Sequence, residues 1–120
     1  MDIGQRLTQL RQEKGLYQKE LASYLNLSIG TISNYEQNIH CPDLDTLCRL
    51  ADFFGVTTDY LLGRTPHRYS PERLNRPITR NYTVGDLVNT TLELSPKGIR
   101  SLLDYVDLLR LRERVSSQTQ

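Results

Sequence analysis

Apolar residues fall at helical spacing from the first turn of the chain. Ile3, Leu7 and Leu10 recur three and four residues apart, and Gly15 stands where a left-handed C-terminal cap belongs, so the pattern predicts a helix over 2–14. A second helix over 18–25 turns Leu21, Ala22 and Leu25 to one side and stops at Asn26. Ser28 offers a hydroxyl to the free N–H groups of a third helix, which carries Ile32 and Tyr35 inward and is polar outward to about Gln37. Pro42 and Asp43 open a fourth helix with Leu44, Leu47, Leu50, Ala51 and Phe54 along one stripe, ended by Gly55. Thr57 caps a short fifth helix bearing Tyr60 and Leu61, closed by Gly63. Five helices with short connections predict a compact all-α domain over 1–63.

The periodicity then lapses. Residues 64–82 hold three prolines and five arginines with no apolar face, which predicts an extended, charged linker. Val84, Leu87, Val88 and Leu92 suggest a short helix, and Ser95-Pro96 reads as an N-cap followed by a first-turn proline that starts a helix over 96–114. Ile99, Leu102, Leu103, Tyr105, Val106, Leu108, Leu109 and Leu111 cover more of that helix than a single stripe. The surplus face requires a partner, and Ile99, Leu102, Leu103, Val106 and Leu109 are the expected dimerisation positions within a helical segment 83–115. Residues 116–120 are expected to be a disordered tail.

Charge modifies this picture because its distribution is uneven. The net value of +1 hides −3 over residues 1–62, +4 over 63–82 and balance thereafter. The basic character sits in the linker. No apolar run approaches the roughly 18 residues of a membrane span, and the start of the chain lacks the basic and apolar regions of an export signal, so a soluble cytoplasmic protein is expected. Cys41 and Cys48 are too few for a disulfide scaffold and are expected to be buried or half-buried free thiols. With His40 they make an incomplete ligand set, so neither a metal nor a cofactor is expected. His40 and His67 lie isolated in loops and there is no phosphate-cradling glycine loop, which argues against an enzyme.

The second and third helices, joined tightly, have the form of an element that enters the major groove and reads base edges with its N-terminal residues. Ile3-Gly4-Gln5-Arg6-Leu7, Arg11-Gln12-Glu13-Lys14-Gly15-Leu16, Gln18-Lys19-Glu20-Leu21-Ala22, Thr31-Ile32-Ser33-Asn34-Tyr35-Glu36, Pro42-Asp43-Leu44-Asp45-Thr46-Leu47 and the run from Phe54 to Gly63 together resemble the Xre family of helix-turn-helix regulators, relatives of phage repressors and Cro proteins. The resemblance covers about the first half of the chain. The C-terminal half is loosely similar to the helical dimerisation segments of SinR-type members. The family implies a five-helix, phage-repressor-like domain that binds double-stranded operator DNA, usually as a homodimer, and most often represses.

By that resemblance Gln18 meets a phosphate and supports the recognition helix, and Ser28, Ile29, Gly30, Ser33 and Asn34 face the groove. Asn34 is the strongest base reader, since its amide can pair with adenine; Ile29 suits a thymine methyl and Gly30 a close backbone approach. Thr31, Asn38, His40 and the hydroxyl of Tyr35 are expected at phosphates or at the helix start. Arg11 and Glu36 match a buried ion pair of structural purpose. Bland roles stay open: Ser28 caps its helix with or without DNA, Asn34 can be solvated, and the linker arginines can be solvated or on phosphates. The competing function is a protein-interaction module, an antirepressor or antitoxin-like subunit that acts through another chain.

Overall fold

The computed structural model describes residues 1–118 as ten elements: α1 (Ile3–Glu13), α2 (Gln18–Leu25), α3 (Ile29–Glu36), α4 (Leu44–Phe54), α5 (Thr58–Leu61), α6 (Pro71–Leu74), β1 (Pro77–Thr79), β2 (Tyr82–Thr83), α7 (Val84–Glu93) and α8 (Pro96–Gln118). They divide into two units, Met1–Leu74 and a second beginning at Asn75.

In the first unit the starts of α1, α3, α4 and α5 are each fixed by an N-cap side chain that satisfies an orphan N–H. Asp2 accepts from Gln5 N–H at 2.9 Å while the Gln5 side chain accepts from Asp2 N–H, a reciprocal capping box. Ser28, Asp43 and Thr57 do the same for α3, α4 and α5, accepting from Thr31, Thr46 and Tyr60 N–H at 3.0, 2.8 and 3.0 Å. The core is one cluster drawn from all five helices, with Leu7, Leu21, Ile32, Leu50 and Leu61 fully buried and Leu10, Ala22, Leu25, Tyr35, Leu47, Ala51, Phe54, Val56 and Tyr60 around them. Each large aliphatic chain so placed stabilises the fold by about 1.5–3 kcal/mol. Leu44, by contrast, is 82% exposed. It occupies the first helical position of α4, one turn before the stripe reaches the core.

The thiols are also outside. Cys41 lies in the loop after α3 and Cys48 on the outward side of α4, both exposed, because Leu47, Leu50, Ala51 and Phe54 take the inward positions.

The second unit opens with an antiparallel hairpin, β1 with β2, that the all-helical reading did not contain. Thr83 caps α7, accepting from Asp86 N–H at 3.1 Å while the Asp86 carboxylate accepts from Thr83 N–H at 2.8 Å. Ser95 caps α8 by accepting from Gly98 N–H at 3.1 Å. That helix continues through Gln118 where a disordered tail was expected from 116, since nothing in Val115-Ser116-Ser117-Gln118 breaks a helix. Residues 119–120 lie outside the described residues. Among those described, none of residues 75–118 is buried. No helix among them is long and apolar enough to cross a membrane.

Candidate nucleic-acid interface

The α2–α3 connection is three residues long. Asn26 takes the left-handed conformation, φ 55° and ψ 44°, which a short polar side chain tolerates. Leu27 N–H then donates to Ala22 C=O at 2.8 Å, closing the end of α2. Leu27 packs half-buried against the core, and Ser28 begins the cap of α3. The turn angle therefore follows from one left-handed residue and one apolar anchor.

The other end of α3 is locked by an ion pair. Arg11 Nε and Nη2 donate to Glu36 Oε2 and Oε1 at 2.8 and 3.0 Å, with side chains only 13% and 5% exposed. Arg11 Nη1 donates to Leu16 C=O at 2.8 Å, and Thr8 Oγ1 and Gln18 Nε2 donate to Glu36 Oε1 at 3.1 and 3.3 Å. Burial pushes the Glu36 carboxyl upward, but the hydrogen bonds from Arg11, Gln18 and Thr8, together with the Arg11 charge, outweigh it and hold the group below the ordinary glutamate range. Sequence reading found the pair and the Gln18 support. It missed Thr8 and Leu16, which carry no local signal of this role.

Close packing of α1 on α3 requires Gly4. A Cβ there would run into Glu36 C=O and stand 2.8 Å from Asn38 Oδ1. That oxygen accepts from Gly4 N–H at 3.1 Å. Asn38, itself at φ 60°, thus ties the chain after α3 to the start of α1, a role distinct from the expected phosphate contact.

The face of α3 turned outward is short and uncharged. Ser28, Ile29 and Gly30 are exposed, Ile29 by 52%. Ser28 Oγ lies 2.7 Å from Thr31 Oγ1, and Ser33 Oγ accepts from Gln37 Nε2 at 2.6 Å, so these hydroxyls are ordered before any ligand arrives. Asn34 is half-buried, and its side-chain amide has no hydrogen-bond partner among the described residues; its backbone C=O accepts from Ile39 N–H at 2.9 Å. His40 is exposed beside it, whereas Tyr35 is 8% exposed and belongs to the core. Positions 28–40 hold no lysine or arginine.

The positions expected to serve dimerisation lie on α8. Ile99, Leu102, Val106 and Leu109 are half-buried within the second unit, and Leu103 is 57% exposed. A second apolar stripe on the same helix, Tyr105, Leu108, Leu111 and Val115, is exposed by 53–63%. The five assigned positions omit it.

A helix packed on the core by Leu21, Ala22 and Leu25, a three-residue turn and a short capped helix with its polar face outward define a helix-turn-helix DNA-reading domain. Comparison with known proteins agrees: a helix-turn-helix family model matches residues 7–61. The HTH-type transcriptional regulator ImmR of Bacillus subtilis (strain 168) is 32% identical over 127 aligned positions, spanning 94% of this chain and 100% of ImmR. The SPbeta prophage-derived uncharacterized HTH-type transcriptional regulator YonR of the same organism is 38% identical over 78 residues, 64% of this chain and 72% of YonR. A transcriptional regulator from Listeria innocua has the same fold, with a TM-score of 0.52 at 22% identity over 92% of this chain and 94% of that one. The chain belongs to the Xre family of DNA-binding helix-turn-helix transcription regulators, a family of regulators and not of enzymes.

Proposed function

We propose that the protein is a repressor that binds an inverted-repeat operator as a homodimer, with Asn34 its principal base reader. The observation that carries the reading is the outward face of α3, where an amide without an internal partner stands among prealigned hydroxyls on a helix locked by Arg11 and Glu36. A side-chain amide pairs with the N6 and N7 edge of adenine, and the exposed Ile29 beside the backbone at Gly30 suits a thymine methyl. Gln18, Thr31 and His40 serve phosphates, which set register without reading sequence.

Dimerisation is supported by the second unit. A segment of this length with no buried residue among those described cannot sustain its own fold in water, and its exposed leucines find cover most economically on a second copy. An immunity repressor of Bacillus phage phi105, 33% identical over 63 residues, points the same way on repression.

The test is selection of bound sequences from random duplexes at stated salt, with wild type and Asn34→Ala, alongside light scattering. A dimer that selects an inverted repeat, and an Asn34→Ala protein that relaxes one position in each half-site at a cost of roughly 1–3 kcal/mol, is the expected result. A monomer that gains DNA binding only with another chain would establish the interaction-module reading instead.

A further inference from the structure

Two apolar faces stand on different sides of α8. Ile99, Leu102, Val106 and Leu109 are half-buried, whereas Tyr105, Leu108, Leu111 and Val115 are 59, 63, 56 and 53% exposed. At 3.6 residues per turn the two sets centre roughly 150° apart around the helix, so one partner helix covers only one of them. The exposed set keeps a stricter rhythm. Asp104, Leu108, Leu111, Val115 and Gln118 follow one another at intervals of four, three, four and three residues, the a and d spacing on which two helices wind around each other. A shallow groove of about 550 Å³ runs along it, lined chiefly by those apolar side chains with Leu109 and Arg112.

The charges beside this seam decide what fits it. One edge carries Asp107 and Arg114, the other Tyr105 and Arg112, all exposed. Along the seam and its edges the acids come first, Asp104 and Asp107, and the arginines second, Arg112 and Arg114. A helix polarised in this way complements a copy of itself run in the opposite direction. With Leu108 set against Leu111 of the copy, the antiparallel register brings Asp107 to Arg114 on one edge and Tyr105 to Arg112 on the other, and two-fold symmetry makes each pairing twice. Opposite charges meet, and a guanidinium reaches an aromatic ring. The parallel arrangement sets every seam residue against its own counterpart, so Asp104 would face Asp104 within the contact, a like-charge pair. The antiparallel one sets it against Val115.

We propose that a second copy of this chain docks on Tyr105, Leu108, Leu111 and Val115 with its own α8 laid antiparallel, so that the homodimer is joined by this stripe and not by Ile99, Leu102, Val106 and Leu109. The inference rests on the homodimer reading above and names the surface that reading requires. The contact runs from Asp104 to Val115, roughly 17 Å of helix. A seam so short makes the dimer sensitive to each edge pairing.

The experiment uses the full chain, with dimer dissociation constants from light scattering over a range of concentrations and circular dichroism to check each fold. Leu108→Glu is expected to weaken the dimer by about a hundredfold or more, and Leu44→Glu, at an exposed leucine of the first unit, to leave it within about twofold. Asp107→Arg and Arg114→Asp each turn two edge pairs repulsive and should each weaken it by about fivefold. Combined, they exchange the charges and should return the constant to within about twofold of wild type. Orientation is read by disulfide trapping in a background of Cys41→Ser and Cys48→Ser, which removes both exposed thiols. Asp104→Cys and Val115→Cys should cross-link when mixed and not when either is alone. An unchanged constant in Leu108→Glu would overturn this surface and leave a homodimer intact. Cross-links formed by either cysteine variant alone, or a charge exchange that recovers nothing, would overturn the antiparallel register in the same way. A wild type that stays monomeric would overturn the homodimer reading, and this inference with it.

Discussion

Replacing Arg11 by methionine keeps most of the apolar stem and removes the guanidinium. Two charge-assisted bonds to Glu36 disappear, as does the one to Leu16 C=O, and the Glu36 carboxylate is left 5% exposed with only Thr8 and Gln18 as donors. Each charge-assisted bond contributes about 1.5–3 kcal/mol, and stranding a buried charge by removal of its partner costs about 3–5 kcal/mol. Against a domain stability of about 5–15 kcal/mol, that is a large fraction. Urea denaturation followed by circular dichroism at pH about 7 should therefore show a lower midpoint with an unchanged m-value, and thermal melting a fall of roughly 15 °C or more. The loss depends on pH with a definite sign. In wild type the Glu36 pKa is depressed, so its stabilising contribution is present above the unfolded-state value and fades as pH falls through the folded value. In Arg11→Met the upward push of burial is no longer opposed by the guanidinium, so lowering the pH protonates the stranded group and relieves its penalty. The two proteins should converge as the pH falls below the ordinary glutamate range and through the depressed folded value. Arg11→Met combined with Glu36→Leu, which leaves no unpaired charge, should lose less than Arg11→Met alone. A cost for Arg11→Met below about 1 kcal/mol at neutral pH, or one equally large in acid, would refute the account of the pair.

Gly4→Ala should destabilise the first unit by about 1–3 kcal/mol, because its Cβ meets the backbone of Glu36 and α1 must shift off α3; chemical denaturation measures it. Asn38→Ala should lower stability by about 1–3 kcal/mol and leave base preference at every operator position unchanged, the reverse of Asn34→Ala; selection of bound duplexes paired with a melting curve separates the two. The hydrogen bond from Arg68 holds the Glu13 carboxyl below the usual glutamate range. The two bonds from the Arg68 guanidinium to Glu13 are thus complete above the ordinary glutamate value and open as pH falls through the depressed one, which limited proteolysis between residues 64 and 74 should report as faster cleavage in acid.

Caps and stripes were legible in the sequence because they are local. Ser28, Asp43 and Thr57 sit three residues before the N–H they accept, and the apolar positions of α1, α2 and α4 repeat with the helical period. Contacts whose partners are distant were legible only through family resemblance, as for Arg11 with Glu36, or not at all. Glu13 and Arg68 are 55 residues apart, and nothing near either marks the other. Composition misled at Arg68, since arginine predicts solvation when the destination of its side chain is unknown, whereas Arg64, Arg73, Arg76 and Arg80 are exposed as it predicts. The hairpin was missed because strands as short as Pro77–Thr79 and Tyr82–Thr83 carry no alternation to read. Within the candidate interface, the exposed polar residues proposed to read bases could be named from the sequence, whereas the internal duties of Asn38 and the hydroxyl of Ser33 could not.

Internal pairing of cations bears on the electrostatics of binding. Met1–Leu74 carries a net charge of −1, and most of its cations are engaged: Arg11 on Glu36, Arg68 on Glu13, Arg6 on Tyr60, Lys14 over Phe53, Arg49 on Leu25 C=O and Arg64 beside Asp59. Lys19 and Arg73 remain without a partner among the described residues. Two neutralised phosphates per subunit, four in the proposed dimer, would give a slope of log K against log salt of about −3.6. A shallow slope means feeble non-specific binding, so affinity must come from base contacts and from coupling two half-sites through the dimer, whose second engagement is effectively intramolecular. That coupling is strongest when the geometry between half-sites is fixed. Titration with salt on the selected operator tests the chain of reasoning: a slope of about −7 or steeper would show that arginines of the second unit, Arg76 and Arg80 first among them, lie on phosphates. Affinity would then rest on those contacts.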